Sequence, residues 1–368
     1  MRIPGHATTA ATEAYAERQA EELPYNHFRE AVGWMGSSIG IGTYLGAPDD
    51  ETDTLVTRAV GTAVVNGVNV IDTAVNYRFE RAERAVGKAI STLVSTGQAK
   101  REELIVCSKG GYIPNEGGSR WFMETYVRDK ECPIRKPDLV GGSHCMHPEY
   151  LADQLNQSLR NLGVDTIDVY YIHNPEEQIN ALSPDAFYGR LKDAFAFLEE
   201  AADDGKIQYY GISTWDSLRV HSHAPGNLSL MRARKAAMEA AGDRPHDRFR
   251  FVQMPFSLGM SEGLTLPNQN INEQMVASIP AALAVGLVPV ASASIMQGRI
   301  GEMDAQLAER LGDHLEDDSQ RALQFTRSTP GIFSALVGMK DPDHVALNLE
   351  LCLDPPLDME EFMELFQE

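Results

Sequence analysis

The sequence predicts an α/β protein: a (β/α)8 TIM barrel with an N-terminal extension and hairpin, a long loop after the third strand and a C-terminal helix. Three observations carry that reading. Eight short β-branched or aliphatic runs recur along 368 residues, a length that one barrel accommodates. Amphipathic stretches with their own start and stop signals separate the runs. The alternative, an open dinucleotide-binding sheet, needs GxGxxG after its first strand, but in Gly40-Ile41-Gly42-Thr43-Tyr44-Leu45-Gly46 the third glycine comes one residue late.

The runs are Ser38–Gly42, Val68–Asp72, Leu104–Lys109, Ile167–His173, Ile207–Ser213, Phe249–Met254, Gly286–Ala291 and Phe333–Gly338. Each alternates only in part, as strands buried on both faces do. Gly67 closes the first helix. Between Pro148 and Gly163, Leu151, Leu155, Leu159 and Leu162 form a seam at helical spacing, with proline at the start and glycine past the end. Ser183-Pro184-Asp185 and Asp341-Pro342 open two further helices. Residues 1–26 read as an extension with a short helix, and 27–354 as the barrel. His27–Val32 pairs as a hairpin with the strand after Gly33. The excursion 110–147 is too long for an ordinary connection, so it reads as a lid or a homo-oligomer contact. Residues 355–368 form a last acidic helix.

Composition narrows the function. Lys and Arg number 32 against 53 Asp and Glu, and a net charge of −21 lacks the cationic field that nucleic acid or an anionic membrane attracts. Four cysteines without a CxxC pair make no disulfide framework. The first 30 residues contain no apolar signal-like core, and the uncharged stretch Met275–Gly298 is broken by Pro280, Gly286 and Pro289. The expected setting is the cytoplasm. Within the excursion, His144-Cys145-Met146-His147 fits no standard zinc spacing, so no metal is expected.

In a parallel barrel, chemistry sits at the C-terminal ends of the strands. Asp72, Lys109 and His173 leave the tips of three adjacent runs, and Tyr77 follows Asp72 by five residues. A lysine directly after Leu104-Ile105-Val106-Cys107 needs a partner, and Asp72 is the natural one. A tyrosine hydroxyl is too weak an acid to give up a proton readily at neutral pH; a nearby ammonium stabilises the phenolate. His173 would orient a carbonyl. The set suits protonating an oxygen while a hydride attacks its carbon, and it includes no nucleophile.

This constellation resembles the aldo-keto reductase superfamily. The resemblance runs through residues 39–44, 67–77, Ser108-Lys109, Asp168–Pro175, Gly211–Thr214, Val252-Gln253, Gln297-Gly298 and Gly338–Pro342, and covers about residues 28–352. It implies an NAD(P)H-dependent oxidoreductase interconverting an aldehyde, ketone or sugar and its alcohol. Tyr77 would be the general acid/base, Lys109 its modulator, Asp72 the partner of Lys109, and His173 the substrate-orienting residue. The implied cofactor is NADP, with NAD open. Gly42, Thr43, Ser213, Thr214, Gln253, Ser292, Gly298 and Gly338 would line its site, with Ser213 and Gln253 on the nicotinamide carboxamide. Lys340, His344 and Asn348 would lie near the adenosine 2′-phosphate, at a helix N-terminus. Two departures stand out. Ser292 occupies the place of a tyrosine that usually stacks on the nicotinamide, and His344 stands where Arg or Gln is common. They leave an alternative from another class, a catalytically weak cofactor-sensing or partner-binding barrel subunit. A metal-dependent barrel hydrolase or lyase using His144, His147, His173 and Asp72 is a third reading.

Overall fold

Eight strands, one at each predicted run, close into a parallel barrel in a computed structural model that describes residues 2–367. A hairpin precedes them, β1 (Phe28–Ala31) and β2 (Trp34–Ser37). The barrel strands are β3 (Ile39–Gly42), β4 (Val70–Asp72), β5 (Ile105–Gly110), β6 (Ile167–His173), β7 (Ile207–Ser213) and β8 (Phe249–Pro255). After a second, unpredicted hairpin of β9 (Gln269–Ile271) and β10 (Gln274–Val276) come β11 (Val288–Ser292) and β12 (Ser334–Gly338), which pairs with β3 and closes the ring. The seventh predicted run starts two residues late because Gly286 adopts φ +74°, a left-handed stop that ends the preceding helix rather than opening a strand.

Two apolar cores use opposite faces of the same strands. Val70, Ile105, Cys107, Val169, Tyr171, Phe251, Val290 and Leu336 fill the interior. Ile71, Val106, Tyr170 and Ile172 face outward into the helical layer. This double burial is why the runs did not alternate cleanly. Trp34 of the hairpin plugs the barrel floor, its ring 5.2 Å from Tyr209 and 6.1 Å from Phe251.

The helix Pro148–Leu162 shows how local chemistry sets the outer layer. The His147 side chain accepts from the Glu149 N–H, and Gly163 takes the left-handed conformation at the other end. The leucine seam is fully buried, and each such leucine is worth roughly 2–5 kcal/mol against alanine. Helix Arg81–Ser95 approaches it so closely that a Cβ on Gly87 would stand 2.5 Å from the Asn161 carbonyl oxygen.

The N-terminal segment crosses the floor before its helix, Thr9–Gln19. Asp168 anchors it. One carboxylate oxygen accepts from Ala7 N–H (2.7 Å) and Gln208 Nε2 (2.8 Å), the other from Arg101 Nη2 (2.7 Å) and Val106 N–H (2.8 Å). Residues 110–147 build a small apolar centre of their own from Phe122, Tyr126, Ile134 and Cys145, seated on Tyr150. The chain ends with helix Met359–Glu364. No helix among the described residues is long and apolar enough to cross a membrane.

Candidate active site

Strand periodicity places the site. Side chains two residues apart share a face, so on five strands the uppermost interior apolar residue is followed, one layer higher, by a residue at the barrel's C-terminal mouth. Val70 leads to Asp72, Cys107 to Lys109, Tyr171 to His173, Phe251 to Gln253 and Val290 to Ser292. The uppermost layer is polar where the layers beneath are not.

These side chains form one hydrogen-bonded chain. Ser213 Oγ donates to Gln253 Oε1 (2.8 Å), and Gln253 Nε2 to Asp72 Oδ1 (2.9 Å). Lys109 Nζ donates to Asp72 Oδ2 (2.5 Å), to the Thr73 carbonyl (2.9 Å) and to Tyr77 Oη (3.1 Å). Lys109 is fully buried and Asp72 nearly so. Burial works against the lysine's charge, but Asp72 and Tyr77 outweigh it and its pKa is raised, so the ammonium persists. For Tyr77 the balance differs from the sequence expectation. Burial and Asp72 raise the phenol's pKa by more than Lys109 lowers it, so the resting hydroxyl stays protonated. The ammonium acts only as charge appears on the oxygen. His173 is held neutral, well below its ordinary range, by burial, Lys109 and His144. Its ring lies edge-on between Tyr77 (centroids 5.6 Å apart) and Tyr112 (5.0 Å).

Tyr77 sits on a constrained turn. The next three residues, Arg78, Phe79 and Glu80, take φ of +50°, +54° and +69°. A left-handed residue other than glycine costs roughly 1–2 kcal/mol. Buried Arg78 is pinned by Asp53, Nη1 to Oδ1 at 2.5 Å.

A cleft of about 660 Å³ opens above this layer. Of the expected residues, Gly42, Thr43, Asp72, Tyr77, His173, Ser213, Thr214, Gln253, Ser292, Gly298, Gly338 and His344 line it. Lys109 reaches it only through Tyr77. Lys340 and Asn348 lie outside the wall: the Lys340 chain runs beside Gly46, and Asn348 is buried on its helix. His344 does face the cleft, from the first turns of helix Pro342–Leu351. Of the excursion, Tyr112 is the one residue in the cleft wall among the described residues. His144 is spent on the His173 carbonyl (2.7 Å) and Gln178, Cys145 is buried in the small core, and His147 caps a helix. No group of three or more His, Cys, Asp or Glu able to hold a metal occurs among the described residues.

Sequence reasoning missed Asn76, Tyr112, Glu176, Glu177 and Trp215, all in the wall. Glu176 and Glu177 follow His173-Asn174-Pro175 directly, and that adjacency was the one available signal. Burial lifts the Glu176 carboxyl to about 7, against the pull of the Trp215 and Asp216 N–H groups that it accepts.

Comparison with known proteins agrees with this geometry. The aldo/keto reductase family pattern matches residues 38–241, more than half of the chain. NADH-specific methylglyoxal reductase of Escherichia coli (strain K12) is 27% identical over 176 residues, 48% of this chain and 46% of that protein. The chain thus spans about half the length of that relative. Protein tas of the same organism is 24% identical over 343 residues, covering 85% of this chain and 89% of its own. Among solved structures, an aldo/keto reductase from Klebsiella pneumoniae in complex with NADP and acetate superposes with a TM-score of 0.60. It shows 19% identity, over 92% of this chain and 94% of that one. The holo form of an aldo-keto reductase from Bacillus halodurans gives 0.59 at 20% identity, with the same coverage. With the pattern matched from the first barrel strand past the fifth, and the barrel closed by the remaining three, this chain belongs to the aldo/keto reductase family.

Proposed function

We propose that the protein is an NAD(P)H-dependent oxidoreductase interconverting a carbonyl compound and its alcohol, with Tyr77 as general acid/base. The hydrogen bond of 3.1 Å from Lys109 Nζ to Tyr77 Oη, with Asp72 behind the lysine, carries the reading. In the reducing direction Tyr77 gives its proton to the carbonyl oxygen, and Lys109 stabilises the phenolate that remains. Asp72 keeps the ammonium charged and aimed. Neutral His173 donates an N–H that orients the carbonyl without competing for the proton.

The wall fits a nicotinamide dinucleotide. Ser213 and Gln253 present hydroxyl and amide groups suited to a carboxamide, and Gly42, Gly298 and Gly338 leave room for an extended ligand along the rim. His344, with Lys340 behind the wall, stands at a helix N-terminus, where an anion is favoured. When bound, that cofactor supplies the hydride. NADP is the reading these residues favour, with NAD admitted because His344 lacks the bidentate guanidinium fork that an arginine would offer a phosphate. The alternative, a cofactor-sensing subunit without turnover, leaves the contact between Tyr77 and Lys109 without a task. The cytoplasm is the compartment we propose.

Tyr77→Phe tests the assignment. Turnover of a broad aldehyde panel should fall at least ~10³-fold, within the range that loss of one positioned acid gives. NADPH titration, followed by the fluorescence of Trp215 in the cleft wall, should be nearly unchanged. Undiminished turnover would remove Tyr77 from the chemistry.

A further inference from the structure

The outer half of the cleft carries a second layer of information, which rests on the reading above and refines it. Among its described lining residues there is no lysine or arginine. The one nearby ammonium, Lys109, is committed to Asp72 and Tyr77 beneath the floor. Facing that deficit are Glu176 and Glu177, neither of them in an ion pair among the described residues. Glu177 is exposed to the cleft and held in place by Tyr112, whose Oη donates to its Oε1 (2.8 Å) and accepts from Asn174 Nδ2 (3.2 Å). Glu176 is fixed by the two backbone N–H groups of the Trp215 loop.

Four wall atoms also lack any protein partner: Nδ1 of His173, a residue more than nine-tenths buried, Oδ1 of Asn76, Oε2 of Glu176 and Oγ of Ser294. Unmet polar groups call for a ligand that brings hydrogen bonds of its own. Unpaired carboxylates decide its sign, because a second anion beside them is repelled while a donor is welcomed. Exposed rings of Tyr44 and Trp215 flank the mouth and offer faces to C–H groups or a cation.

We infer that this wall selects carbonyl substrates bearing hydrogen-bond donors, hydroxyl or ammonium, away from the reacting carbon. It rejects those bearing carboxylate or phosphate, with Glu177 as the principal specificity-determining residue and Glu176 as its support. Nothing in the acid/base set demands this; it follows from the outer wall alone.

The test is a matched series of short aldehydes with NADPH: glyceraldehyde, 3-aminopropanal, glyceraldehyde 3-phosphate and succinic semialdehyde. The wild type should show kcat/KM at least ~10-fold higher for the first two than for the last two, the ratio that about 1.4 kcal/mol of repulsion gives. Glu177→Gln should shrink that ratio at least ~3-fold, chiefly by improving the anionic pair. A fall with 3-aminopropanal but not with glyceraldehyde in the variant identifies ammonium as the recognised donor, and a fall with both identifies hydroxyl. Equal or better use of the anionic aldehydes by the wild type, or a ratio untouched by Glu177→Gln, overturns the inference. If no aldehyde is turned over, the assignment of Tyr77 fails instead. Calorimetric binding of glycerol against glycerol 3-phosphate, in wild type and Glu177→Gln, then decides the selectivity without catalysis. Tighter binding of the phosphate ester by the wild type would refute it.

Discussion

Replacing Lys109 by methionine separates the electrostatic argument from mere proximity. The change keeps the side chain's length and apolar stem and deletes the ammonium 3.1 Å from Tyr77 Oη and 2.5 Å from Asp72 Oδ2. A unit charge at that distance from the developing phenolate contributes about 5 kcal/mol at an effective dielectric of 20. Each 1.36 kcal/mol of barrier is a factor of ten, so kcat should fall by roughly three to four decades. Stability falls too. Asp72 is left as a buried carboxylate with Gln253 as its remaining side-chain donor, and breaking such a pair from one side costs roughly 3–5 kcal/mol. Asp72→Asn together with Lys109→Met should recover most of the lost Tm and none of the lost rate. Steady-state kinetics with an accepted aldehyde, thermal melts and NADPH binding together read all three quantities. A folded Lys109→Met protein that keeps kcat within tenfold of wild type would show that the ammonium does not stabilise the acid's conjugate base, and the reasoning fails.

Other outcomes follow from the same geometry. His344→Arg should tighten NADPH over NADH by several-fold in equilibrium titrations, because a bidentate guanidinium replaces an imidazole at the helix start. Glu176 has its carboxyl raised to about 7 by burial, against an ordinary 4.5. The folded state therefore holds that proton more tightly than the unfolded chain does, and the associated stability is full below about pH 4.5 and lost as pH rises through 7. Glu176→Gln should accordingly raise the unfolding free energy relative to wild type above pH ~7, by an amount of order 2–3 kcal/mol, and change it little near pH ~4.5. Equal effects at both pH values would contradict the burial argument. Asp168→Ala removes the acceptor for Ala7, Arg101, Val106 and Gln208 at once. It should cost roughly 3–5 kcal/mol in denaturant unfolding, with kinetics of the remaining folded protein nearly intact.

Much of this architecture was legible because it depends on periodicity. Asp72, Lys109 and His173 end strands whose lower interior positions are apolar, so their height and facing direction follow from counting by twos. Tyr77 was legible through its distance from Asp72, although the three left-handed residues that fix its turn were not, since Arg78, Phe79 and Glu80 have no local reason to adopt that conformation. The electrostatic sign at Tyr77 was misjudged for a definite cause: a neighbouring cation can be read from spacing, whereas the opposing burial cannot. Asp168 carries part of the family resemblance yet works at the floor, tying down the N-terminal segment. Tyr112, Glu176, Glu177 and Trp215 went unnoticed because loop paths, not strand registers, bring them to the rim. The same applies in reverse to Lys340 and Asn348, placed near the phosphate by analogy and found outside the wall.

The segment between Gly110 and His147 folds around Phe122, Tyr126, Ile134 and Cys145 and touches the cleft through one phenol. That makes it a graft with two points of attachment to the chemistry, Tyr112 in the cleft wall and His144 on the His173 carbonyl. Its outward surface is free to drift in charge and shape while proton transfer stays as it is, and drift that reaches the cleft passes through Tyr112 or His144. Change at Tyr112, the one of the two that lines the cleft, is therefore the economical way for such a protein to acquire a new diet without rebuilding its barrel.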